Sequence, residues 1–98
     1  MNEQDALKLV HEHFLNNPMG THEGGCTYLG PDGQMCALGF LAKHKGLDWS
    51  HYTCFIQPEM AEELDLPWVF CNELQRTHDT LQSNKVLFLS AIRQMMQP

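Results

Sequence analysis

Residues 26–41 read CTYLGPDGQMCALGFL, and the Gly30-Pro31-Asp32-Gly33 tetrad inside them constrains the fold more than any other feature of the chain. Proline presets φ for a turn and Gly33 accepts φ > 0, so the backbone reverses here. Thr27 and Tyr28, ahead of the turn, are strand formers. The spacing predicts a β-hairpin centred near Pro31, with Cys26 and Cys36 opposed as a small apolar cross-strand pair. The apolar run from Ala37 to Ala42, with Gly39 inside it, predicts a short buried helix. Lys43, His44 and Lys45 suit the C-terminal end of that helix, and Gly46 suits the position just beyond it.

The flanks carry helical periodicity. Ala6, Val10 and Phe14 recur every four residues, with Leu7 and Leu15 widening the stripe, which predicts a helix from Glu3 to about Asn16. Asn2 is its expected N-cap, and Pro18 ends it by disfavouring helical geometry at Asn17. Residues 19–25, MGTHEGG, read as loop. Further on, LDWSHYTCFIQ is rich in strand formers and suggests an extended piece near Tyr52–Ile56, a third strand beside the hairpin. Pro58 and Pro67 each sit where a helix can begin. The helix after Pro67 turns Val69 or Phe70, then Leu74, then Thr77 or His78 to the core. Asn84 is the expected cap of a last helix with a wide stripe of Val86, Leu87, Leu89, Ala91, Ile92, Met95 and Met96. The expected fold is therefore α+β: a small antiparallel hairpin or three-stranded sheet packed against four to five helices. The first and last helices are expected to supply most of the core. No repeat or linker divides the 98 residues, so 1–98 reads as one domain.

Charge narrows the partners. The net charge is -6, and the acid is concentrated in Asp48, Glu59, Glu62, Glu63, Asp65, Glu73 and Asp79 against Arg76 alone. Such a segment repels phosphate backbones and attracts a basic protein surface. No apolar run is long enough for a membrane span. The acidic, polar N-terminus lacks the basic and apolar regions of a secretory signal, so the cytosol is the expected compartment. Cys26, Cys36, Cys54 and Cys71 are then expected to be reduced.

The segments Cys26-Thr27-Tyr28 … Gly33 … Cys36-Ala37-Leu38-Gly39 and, downstream, Leu74-Gln75-Arg76-Thr77-His78-Asp79 resemble a widespread family of small bacteriophage and prophage proteins. That family is marked by C-x-Y, a turn, C-A-x-G and a later L-Q-x-x-H-D. The resemblance runs from the first helix through Asp79. It lapses between Leu41 and Leu66, where the family carries an acidic, proline-containing segment and this chain has AKHKGLDWSHYTCFIQ. It implies a phage or mobile-element origin and an accessory role, and brings no enzyme activity. Cys26, Tyr28, Gly33, Cys36, Gly39, Gln75, His78 and Asp79 are its structural marks.

Three constellations bear on chemistry. Cys71, Gln75 and His78 share one helical face, and Cys–His–acid sets serve thiol nucleophiles. A spacing of seven residues, however, separates Cys71 from His78 by about 10 Å along the axis, too far for a shared hydrogen bond. His78 and Asp79 are instead expected to satisfy backbone groups at the helix end. Zinc could be held by Cys26, Cys36, Cys54 and one of six histidines, but no C-x-x-C or comparable ligand pair is present. Trp49, His51, Tyr52, Phe55 and Trp68 are core or an interface hot spot. The expectation is a non-enzymatic accessory protein, without cofactor, that binds a host protein and inhibits a defence system. Its binding surface would be Trp49, Tyr52, Glu59, Glu62, Glu63, Asp65 and Trp68. A second copy of the chain is another partner the sequence allows. The alternative is a small zinc-binding or Cys/His-dependent hydrolase.

Overall fold

The structure is a computed structural model, and it describes residues 1–19, 36–49 and 58–96. Among these residues the regular structure is helical throughout: α1 (Glu3–Asn16), α2 (Ala37–His44), α3 (Pro58–Leu64), α4 (Trp68–Leu81) and α5 (Lys85–Met96).

This overturns the α+β expectation, because the described part is all-α with no strand or sheet. The physical reason lies at Cys36. Rather than ending a strand, it is the N-cap of α2, and its Sγ accepts the Gly39 N–H at 3.4 Å. An N-cap keeps extended φ and ψ while its side chain satisfies an orphan amide, so strand-like backbone there marks a helix entrance. The remainder of the expected hairpin, with Cys26, Tyr28 and Gly33, lies outside the described residues. So does the expected strand at Tyr52–Ile56.

Local signals place the helices. Asn2 accepts the Asp5 N–H at 2.8 Å and starts α1. Asn84 accepts the Leu87 N–H at 3.2 Å and starts α5. α2 ends in a Schellman arrangement, with Gly46 N–H bonded to Lys43 O and Leu47 N–H to Ala42 O. Gly46 adopts φ 77°, the left-handed conformation that closure requires. The same pair of bonds closes α3, from Asp65 N–H to Glu62 O and from Leu66 N–H to Ala61 O. There an aspartate, Asp65, carries φ 58°.

α1 and α5 run antiparallel along their lengths. Lys85, at the start of α5, donates to Asn17 O just past the end of α1. Arg93, near the end of α5, meets His11. α2 packs on α4 and α1, and α3 packs on α4. α1 buries Ala6, Leu7, Val10 and Phe14, whereas Leu15 is exposed. α5 buries Phe88, Leu89 and Ile92, and leaves Val86 and Leu87 in solvent. Its core face is thus rotated from the expected stripe. Phe88 is central: its ring meets Phe14 edge-on at 5.5 Å and His78 at 5.8 Å. α2, α3 and α4 add core of their own, including Leu38, Leu41, Met60, Leu64, Phe70 and Leu74. The interior is therefore shared among five helices rather than dominated by the outer two.

Candidate functional site

Two places gather the residues singled out in the sequence. The first is a buried junction between the start of α2 and the middle of α4. Gln75 lies on the inner face of α4, and its Oε1 accepts the Leu38 N–H at 3.4 Å. Leu38 is in the first turn of α2, where amides lack intrahelical partners, so Gln75 supplies one across the interface. The Gln75 Nε2 donates to Asp79 Oδ1 at 2.9 Å, one turn along the same helix. His78 Nδ1 lies 3.1 Å from that same oxygen. The His78 side chain is fully buried, while that of Asp79 is 47% exposed. Cys36, Gly39, Gln75, His78 and Asp79 therefore converge, and the C-A-x-G and L-Q-x-x-H-D segments are two halves of one contact.

The thiol that shares this junction is Cys36, not Cys71. Burial above all, with the Asp79 carboxylate adding to it, pushes the Cys36 thiol up to about 12 against the lowering effect of bonds from Gly39, Gln75 and Leu38. A thiol so placed stays protonated at neutral pH and is a poor nucleophile despite its position at a helix start. Cys71 is also buried, pushed up to about 11 by burial and then by Glu3. The chemistry of the junction is that of a tie: it satisfies the Leu38 amide at the start of α2 and fixes α2 against α4. Among the described residues, no three His, Cys, Asp or Glu side chains are grouped to hold a metal ion. Cys26 and Cys54 lie outside them.

The second place is the corner where α3 gives way to α4. Met60, Ala61 and Leu64 turn inward, which leaves Glu59, Glu62 and Glu63 exposed on the outer face of α3. Asp65, in the tight turn, is exposed beside them. The first turn of α4 then presents Trp68, 38% exposed, and Val69, 73% exposed. Lys45 reaches the flank of α3 and donates to Glu63 O at 3.0 Å. Trp49 is not part of this surface; at 5% exposure it belongs to the core. Tyr52 lies outside the described residues.

The junction was not legible as a unit, because Cys36 and Gln75 stand on different helices and helical spacing relates only residues of one helix. The one usable signal was the ordered pair of short motifs. No helix among the described residues is long and apolar enough to cross a membrane. The chain matches no protein-family model, no curated protein and no solved structure.

Proposed function

We propose that this protein is a non-enzymatic binding protein that docks on the basic surface of a partner protein through its α3–α4 corner. The observation that supports this most directly is the exposure of Trp68 and Val69 beside the carboxylates of Glu59, Glu62, Glu63 and Asp65. Apolar anchors beside a run of carboxylates suit a binding surface: the aromatic residue supplies contact energy, and the charge supplies steering and orientation. The buried junction holds α2 against α4, and its protonated thiol favours support over bond-breaking. The resemblance to small phage proteins supports the finer reading: a mobile-element accessory protein whose partner is a host protein and whose capture inhibits a host defence system.

The test is capture from bacterial lysate with the full chain and a Glu62→Lys/Glu63→Lys/Trp68→Ala variant. Lysines in the last turn of α3 suit the helix dipole, but Trp68→Ala gives up the buried part of a ring that is 38% exposed, so the melting temperature should fall and amide chemical shifts check that the variant is folded. Partner capture should be lost, and capture by the unaltered chain should weaken with salt. Capture that survives both the substitutions and high salt refutes the proposal.

A further inference from the structure

The first turn of α1, the start of α4 and the last turn of α5 enclose an open cleft of about 550 Å³. Its floor is apolar: Leu7 and Phe70 are buried, and Met95 is half-buried. Its rim carries the carboxylates of Glu3 and Glu73 and the amide of Gln94, all exposed. Among the described residues lining it there are two acids and no base. The positive end of α1 and the negative end of α5 both face this region and offset each other, leaving Glu3 and Glu73 as the charged side chains of the lining. The Glu3 charge is felt across the cleft, since it helps to raise the Cys71 thiol on α4, after burial itself. Lys8 and Arg76 stand a turn away along α1 and α4 and are not among the lining residues.

The cleft and the docking corner share α4. Phe70 follows Val69 directly, and Glu73 lies one helical turn beyond Val69 on α4. A partner seated on Trp68 and Val69 lies one helical turn from the Glu73 edge of the cleft. We infer that the cleft receives an arginine side chain of that partner, an inference that rests on the docking reading above. The aliphatic stem lies on Leu7, Phe70 and Met95, as long cationic side chains do on apolar ground. The guanidinium takes the rim between Glu3 and Glu73, where its planar fork can donate to both carboxylates and to the Gln94 carbonyl. Phe70 adds an aromatic ring beside the cation.

The probe is N-acetyl-arginine amide, titrated into the full chain and followed by amide chemical shifts, with N-acetyl-norleucine amide as the uncharged stem. Shifts should concentrate at Leu7, Phe70, Glu73 and Met95 and saturate for arginine, with norleucine markedly weaker. Glu73→Gln and Glu3→Gln should each weaken arginine binding by about threefold, the scale of one ion pair at the solvent edge. Both residues are exposed, and an otherwise unchanged spectrum confirms the fold of each variant. Equal shifts from norleucine, or binding indifferent to both substitutions, overturns the inference. The two readings fail separately. Charge-dependent capture by the corner with a cleft blind to arginine sinks only the cleft. An arginine-binding cleft with capture indifferent to the corner substitutions sinks the docking reading.

Discussion

Replacing Gln75 by alanine tests the junction directly. Gln75 is 7% exposed, so its bonds are made largely out of water. The substitution removes the acceptor of the Leu38 N–H, leaving a buried helix-start amide without its partner, which costs about 1–3 kcal/mol. The bond is long at 3.4 Å, which places this contribution near the lower bound. The Gln75–Asp79 bond is also lost, but water can reach the half-exposed carboxylate, so that loss adds about 0.5 kcal/mol. The shed methylene adds about 0.8 kcal/mol, partly offset by the helix propensity of alanine. The total is about 2–3 kcal/mol, against the roughly 5–15 kcal/mol that a domain of this size possesses. At ~4–8 °C per kcal/mol, the melting temperature should fall by at least about 8 °C. Urea midpoints and thermal melts read the loss, and hydrogen exchange at the Leu38 amide locates it. Gln75→Glu keeps an acceptor for Leu38 but sets a second carboxylate against Asp79, so it should also destabilise, with Leu38 protection partly retained. A Gln75→Ala cost below about 0.5 kcal/mol, typical of an ordinary surface change, would refute the tie.

Three further outcomes follow from local features. Asp65→Gly should stabilise by about 0.5–1 kcal/mol by relieving φ 58°, and Asp65→Val should destabilise; urea midpoints that move in the reverse order count against the strain. The Cys36 thiol should resist iodoacetamide in the native protein near pH 8 and react once unfolded, read by mass spectrometry. Because its folded value, about 12, lies above the ordinary 9.0, its contribution is complete below pH 9 and is lost as pH rises beyond it. Stability should therefore decline above pH 9, and a Cys36→Ala variant should lack that slope. His13 stacks on Phe40 at 4.1 Å and is held below its ordinary 6.5, by burial first and then by Lys43 and Lys85. Its contribution is therefore present above pH 6.5 and declines as pH falls from there; the urea midpoint of His13→Gln should fall less over that range, and equal slopes would exclude the effect.

Local chemistry was readable and long-range pairing was not. Asn2, Asn84 and Gly46 announced helix ends because each acts within about one turn of its own position. The same locality misled at Cys36, whose extended backbone suits a strand and an N-cap equally. On α5, the consecutive apolar residues Val86, Leu87, Phe88 and Leu89 leave the helix orientation ambiguous, and the fit of Phe88 between Phe14 and His78 decides it. Trp49 is as compatible with a core as with a hot spot by composition, and packing made it core. Gln75 looked like one polar residue of a motif; its role depends on Leu38, 37 residues away.

The clasp between Lys85 and Asn17 spans 68 positions of the chain. On the ribosome, Ala6, Val10 and Phe14 therefore emerge long before the helix that shelters them. The nascent protein carries a sticky, half-finished surface until α5 emerges to cover it. A chaperone that shields the first helix until α5 emerges would raise the yield of folded protein.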